Sequence, residues 1–140
     1  MTFFVDANVI LYAAVPGEQQ ASCLRVLDAV AAGADGRTSV AVLEEAWHVA
    51  RSGRLGDLPD LAERAYRIFT PLLPVTDEAF AAALALDESP LGANDRLHAG
   101  TCLAHGIETI VTADRGFDAA KAVRRIDPTN ARAMRRLLGS

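Results

Sequence analysis

Lysine is nearly absent from this chain of 140 residues: Lys121 stands alone, and the rest of its 14 basic residues are arginines. Against 18 acidic residues they leave a formal net charge of -4, which argues against a broad polyphosphate-binding surface without excluding nucleic acid as a partner. Cysteine is scarce too. Cys23 and Cys102 show no metal-ligand spacing and sit in helix-like segments where a small buried residue would serve, so a reduced, cytoplasmic protein is expected. No apolar run is long enough to span a bilayer, so no membrane is expected as a partner. The apolar N-terminus lacks the basic n-region of a signal peptide, and Asp6 and Asn8 fall where its hydrophobic region should be. Low-complexity, Ser-rich and Pro-rich stretches are missing, as is any internal repeat, so no linker or disordered tail is expected. What remains is a chain of modal domain size, 51% hydrophobic, expected to form a single domain over residues 1–140.

Periodicity places the elements. Thr2 to Val5 is a β-branched and aromatic run, the pattern of a central strand buried on both faces. Glu18 to Ala32 carries Leu24, Leu27, Val30 and Ala31 at helical spacing and stops at Gly33. A brief strand at Arg37 and Thr38 leads to a helix capped by Ser39, with Val40, Leu43, Trp47 and Ala50 as its apolar stripe and Gly53 at its end. Pro59 suits the first turn of the next helix, whose Leu61, Ala65, Ile68 and Phe69 keep the period until Pro71. Leu72 to Val75 reads as a second short core strand. Thr76 caps an Ala-rich helix running to about Asp87, with Asp77 and Glu78 in its first turn, and the SPLGA stretch after it is a turn. Asn94 caps a helix from Asp95 to His105, closed by Gly106, and ETIVTAD follows as another buried strand. Ala122 to Ile126 is a candidate edge strand and Asn130 to Leu138 a last helix. Strands alternating with helices over short loops predict an α/β fold with a parallel sheet flanked by helices on both faces.

Within this frame the acidic residues stand out. A buried carboxylate is costly unless something compensates for it, so Asp6 in the run MTFFVDANVILYAAV needs a reason. FFVD and TIVTAD end alike, at Asp6 and Asp114, and in open α/β sheets ligands bind in the crevice outside the carboxyl ends of the strands. Asp95 and one of the neighbours Glu44 and Glu45 could join them. Four carboxylates at close quarters stay ionised together only beside cations, and hard oxygen ligands suit Mg²⁺ or Mn²⁺. Asn8 would orient Asp6 without adding charge. The competing explanation for Asp6 is an N-cap or Asx-turn, and for Glu44 and Glu45 a solvated helix face. Arg124, Arg125, Arg132, Arg135 and Arg136 crowd the C-terminal segment, where a solvated helix face explains them as well as a phosphate-binding patch does. His48, His98 and His105 share no relay-like spacing, so packing or surface roles are expected.

Taken in order, FVDANVILYA, SVAVLEEA, NDRLHAG and IVTADRGFD make the chain resemble the PIN domain over essentially its whole length, and within it the VapC-type ribonuclease toxins of toxin–antitoxin pairs. The resemblance implies a three-layer α/β/α sandwich with a central parallel sheet. It also implies Mg²⁺-dependent endonucleolytic cleavage of structured RNA by in-line hydrolysis, with Mn²⁺ as a substitute. The family's metal-binding and catalytic acids match Asp6, Glu45, Asp95 and Asp114; Glu45 is preferred to Glu44 by its place six residues after Ser39. Asn8 and Thr112 match supporting positions and Asp118 a secondary one. Arg96 departs from the family, where a small residue is usual, and so does Gly116, standing before Phe117 where a charged or polar residue is frequent. Because the chain is net negative, RNA is expected to be admitted through metal ions and local arginines such as Arg96, Arg115 and the C-terminal cluster. A homodimer is implied as well, with the helix around Leu61 to Phe69 offering its surface, and so is a cognate antitoxin that sets an arginine against the acids.

Other classes fit less well. A receiver domain needs a lysine after its last core strands, and Lys121 lies beyond TADRGFD. Phosphoryl transfer of the haloacid-dehalogenase type needs D-x-D, but Asn8 fills the second place and cannot act as an acid. A non-catalytic PIN-like scaffold that binds RNA or a partner would not need all four acids. A solitary RNA-processing PIN nuclease differs from a toxin only by the lack of a neighbouring antitoxin gene.

Overall fold

The computed structural model describes residues 1–86 and 90–139, and places Phe3–Val5 as strand β1 inside a four-stranded parallel sheet. β2 (Gly36–Arg37) and β3 (Thr109–Val111) flank it, and β4 (Arg124–Ile126) pairs outside β3 as the expected edge strand. Successive side chains of a strand point to opposite faces, and the two phenylalanines of β1 anchor one helical layer each. Phe3 meets Val30 of α2 (Gln20–Ala31) so closely over β2 that a Cβ on Gly36 would fall 2.5 Å from one and 2.8 Å from the other. Phe4 meets His98 of α6 (Ala93–Ala104), ring centroids 6.0 Å apart. One layer joins α2 with α1 (Ala7–Ala14), α3 (Val40–Ser52) and α4 (Leu61–Phe69); in the other, α5 (Asp77–Ala85) packs on α6. A 3₁₀ turn (Arg115–Ala119) and α7 (Ala131–Leu138) complete the chain. The three-layer α/β/α sandwich is therefore present.

Several local expectations hold in atomic detail. Ser39 and Thr76 each accept a backbone N–H at 3.1 Å as helix N-caps, and Asn130, expected as the first residue of the last helix, caps it in the same way. Others change. Ala7–Ala14, apolar nearly all round and not foreseen as a helix, is one. Leu72–Val75 is no core strand; Leu73 makes a single parallel bridge to Ser39 beyond β2. Pro59 lies outside α4, whose N-cap is Asp60 at a φ of 59°. Gly92 rather than Asn94 precedes α6, and Asn94 sits in its first turn. Helix α5 ends at Ala85, and the expected extension to Asp87 and the Ser89 part of the SPLGA turn lie outside the described residues.

The buried stripes of α2 and α3 are offset from expectation. Cys23, Val26 and Val30 face the core in α2, with Leu24 exposed, and Val42, Leu43 and Ala46 do so in α3. Small residues let these helices sit close to the sheet, which bulky ones would hold off. Val40 and Trp47, expected inside, are half exposed and line a surface groove with Tyr66 and Leu72. Leu61, Ala65 and Phe69 of α4 are buried within the chain's own core, while Ala62 and the half-exposed Tyr66 turn the other face of the helix to the groove that holds Trp47. Among the described residues no helix is long and apolar enough to cross a membrane.

Candidate active site

β1 and β3 are neighbours in the register Phe4↔Ile110 and Val5↔Val111, so Asp6 and Thr112 emerge side by side at the carboxyl edge of the sheet. This is where the strand order, β2-β1-β3-β4, switches direction, the usual crevice for a ligand. Asp6 is buried. Its Oδ1 accepts the Ala7 N–H at 2.8 Å, capping α1, and its Oδ2 accepts the Thr112 hydroxyl at 2.8 Å. The cap and the functional explanation thus coincide in one residue. Thr112 Oγ1 also accepts the Asn8 amide at 2.9 Å and the Asp114 N–H at 3.0 Å, while Asn8 Oδ1 accepts the Ala113 N–H at 3.1 Å. Asn8 and Thr112 hold the two strand ends together around Asp6.

Asp6, Glu45, Asp95 and Asp114 all line one cavity of about 450 Å³. Glu45 turns into it, whereas Glu44 turns to the groove that holds Trp47, so the helix geometry separates the two neighbours. Burial pushes the Asp6 carboxyl above its ordinary range, opposed by the charge of His98 and the hydrogen bonds from Thr112 and Ala7. Asp95 is pushed up to about 7, first by burial, then by the charge of Asp6 and by its hydrogen bond to Asp114 and that residue's charge. Without a cation, the cluster relieves its repulsion by keeping a proton.

His98 corrects the expectation of a mere packing role. Buried beneath the cavity, its Nε2 lies 3.2 Å from Glu45 Oε1 and 3.8 Å from Asp6 Oδ1. Burial would lower the imidazole pKa, but the Glu45 hydrogen bond and the charges of Asp6, Glu45 and Asp95 raise it above the ordinary value. Asp6, Glu45 and His98 offer ligand atoms all within 4.8 Å of one another. His98 Nδ1, however, is buried without a hydrogen-bond partner among the described residues. A metal-bound imidazole donates its second N–H to an acceptor, and none faces Nδ1, so the hydrogen belongs on Nε2. His98 thus donates to Glu45 and leaves the cation-holding work to carboxylate oxygens, a donor set that fits a hard divalent ion. The only signal in the sequence was its place three residues after Asp95, one turn along the same helix.

The other expected residues fall elsewhere. The Arg96 guanidinium donates to the carbonyls of Leu91 and Leu86, tying down the chain before α6. Arg115 is exposed on the 3₁₀ turn, and neither arginine lines the cavity; Arg54 does. Asp118 pairs with Arg125 at 2.8 Å, and that hydrogen bond holds its carboxyl below the ordinary range. Arg125 also donates to the Thr112 carbonyl at 3.1 Å and to Asp127, so Asp118 bears on the site through the backbone of Thr112. This engagement removes Arg125 from the candidate phosphate patch.

A parallel sheet with acids gathered at its switch point defines a class of α/β domain, and comparison with known proteins places the chain within it. The PIN domain family model matches residues 3–123, and the chain belongs to that family. No match is found among curated proteins. Solved structures with the same fold include VapBC2 from Rickettsia felis, bound to a DNA fragment from its promoter, with a TM-score of 0.67 at 17% identity over 90% of this chain and 98% of that one. VapC20 from Mycobacterium tuberculosis, a sarcin–ricin-loop-cleaving toxin, has a TM-score of 0.67 at 20% identity over 88% and 99%. FitAcB from Neisseria gonorrhoeae has a TM-score of 0.66 at 19% identity over 92% and 99%.

Proposed function

We propose that this PIN-domain protein is the toxin of a type II toxin–antitoxin pair, a Mg²⁺-dependent endoribonuclease that cleaves structured RNA in the cytoplasm and is silenced by a cognate antitoxin. The observation that carries the reading is the convergence of Asp6, Glu45, Asp95 and Asp114 on one cavity at the carboxyl edge of a PIN sheet. The likeness of fold to the toxin VapC20 supports the same reading. Bound Mg²⁺, or Mn²⁺ in its place, would supply an activated water and neutralise charge developing on the phosphate. The protein's part is preorganisation. Thr112 and Ala7 fix both oxygens of Asp6, and His98 holds Oε1 of Glu45, whose side chain lines the cavity. Asp95 and Asp114 hydrogen-bond through a proton that a cation would displace. A homodimer belongs to this reading, and the Ala62 and Tyr66 face of α4, beside Trp47, is the surface it would use.

The test is cleavage of end-labelled structured RNAs by the purified chain with Mg²⁺, with Mn²⁺ or with EDTA, beside Asp6→Asn and Asp95→Asn. Cleavage is expected only with metal and only in the wild type, and the wild-type melting temperature should rise with either ion. Wild-type cleavage by either variant would overturn the site assignment.

A further inference from the structure

Helices α1 and α3 bring more than polar groups to the acid cavity. Asn8 and Tyr12 lie one turn apart on α1, and Glu45 and Val49 one turn apart on α3. Each helix therefore shows a polar residue at the cavity floor and a less polar one about 6 Å further out. The turn after α3 adds Leu55 and Arg54 to the outer wall. Gly53, at a φ of 75°, makes that turn possible, and the Gly56 N–H closes it on the Gly53 carbonyl at 3.1 Å. Ser52 Oγ then accepts both the backbone N–H and the Nε–H of Arg54, each at 3.3 Å.

This arrangement fixes the root of the guanidinium and leaves its two terminal nitrogens without a protein partner among the described residues. Among the described residues Arg54 is the one basic side chain lining a cavity of four carboxylates, and it forms no ion pair with any of them. An open arginine fork matches a phosphate, and a half-exposed tyrosine beside a leucine matches the face of a base.

We propose that Arg54, Tyr12 and Leu55 form a nucleotide subsite beside the acid cluster, with the guanidinium on the phosphate next to the scissile one and the base stacked on Tyr12 under Leu55. The subsite rests on the reading of the chain as a ribonuclease and adds a requirement to it. The nucleotide beside the cut must be unpaired, because a base stacked inside a duplex cannot turn its face to Tyr12.

The test uses a fluorescein-labelled single-stranded RNA oligonucleotide, a blunt RNA duplex of the same sequence, and binding by anisotropy in Mg²⁺ over a range of KCl. The variants Arg54→Gln, Tyr12→Leu and Tyr12→Phe are each made on Asp6→Asn to prevent cleavage. Arg54→Gln should reduce the slope of log affinity against log salt by about 0.7, one phosphate contact on a single strand. Tyr12→Leu should weaken single-strand binding about tenfold, Tyr12→Phe should restore it, and the duplex should bind weakly to all. Calorimetric Mn²⁺ titration of Tyr12→Leu in the wild-type background should match wild type, separating the subsite from the acids. An unchanged salt slope in Arg54→Gln, or equal affinity of the Phe and Leu variants, overturns the subsite while leaving the nuclease reading in place. Failure of wild type and Asp6→Asn alike to bind either RNA overturns both.

Discussion

Replacing Asp95 by asparagine should stabilise the metal-free protein at alkaline pH, and the size of the gain follows from its surroundings. Burial, the charge of Asp6, and the hydrogen bond and charge of Asp114 push the Asp95 carboxyl from 3.8 up to about 7. At about 1.4 kcal/mol per pH unit, that gap sets a ceiling of about 4 kcal/mol on the destabilisation caused by ionising it. Water reaches a half-buried group, and screening brings the expectation down to about 1–2 kcal/mol. The native state holds a proton that the unfolded chain has released between about pH 4 and 7, so metal-free stability falls as pH rises through that window and is flat above it. Asparagine carries no charge at any pH. In EDTA at about pH 8, Asp95→Asn should therefore have the higher urea midpoint, and the two proteins should converge near pH 4. Equal midpoints at the higher pH, or a gain that persists undiminished in acid, would show that Asp95 is not held among like charges. Saturating Mn²⁺ should reverse the order, because the wild type keeps the ligand that the variant has lost.

Thr112→Val keeps the shape of a fully buried side chain but strands the Asp114 N–H and leaves Asp6 Oδ2 and the Asn8 amide with only their long mutual bond of 3.4 Å, so urea unfolding should register a loss of about 2 kcal/mol; an unchanged midpoint would refute this hub role. His98→Leu should release Glu45 and lower kcat for RNA cleavage about tenfold with KM little changed, whereas His98→Gln, which keeps an N–H donor, should recover part of it; identical kinetics in both would deny the donor role. A partner peptide that sets an arginine against the four acids should bind more weakly as salt rises and more weakly again to Asp6→Asn, and an affinity indifferent to both would point to an apolar contact. Sedimentation at micromolar concentration should find a dimer, and a single 14.9 kDa species would count against one.

The acids were legible because their signal is local. A short apolar strand that stops at an aspartate, twice, implies two carboxylates at one sheet edge as soon as the strands are parallel neighbours, and the β1–β3 register makes them so. Caps at Ser39 and Thr76 were legible for the same reason, since each bond closes within three residues. Helix α1 was not, because ANVILYAA has no polar face to set a period, and its start is decided by the Asp6 cap. The stripe of α3 was misread because Val40 and Trp47 keep helical spacing whether they face the core or a groove; packing turned Val42 and the small Ala46 inward beside Leu43. His98 and Arg54 belong to the tertiary structure alone. One reaches Glu45 across 53 residues of chain because α6 packs on Phe4, and the other faces the acids because a glycine turn carries it back over α3. Strand ends and caps are set by neighbours along the chain, whereas the partners of a buried imidazole and the outlook of a surface arginine are set by which helices share a layer.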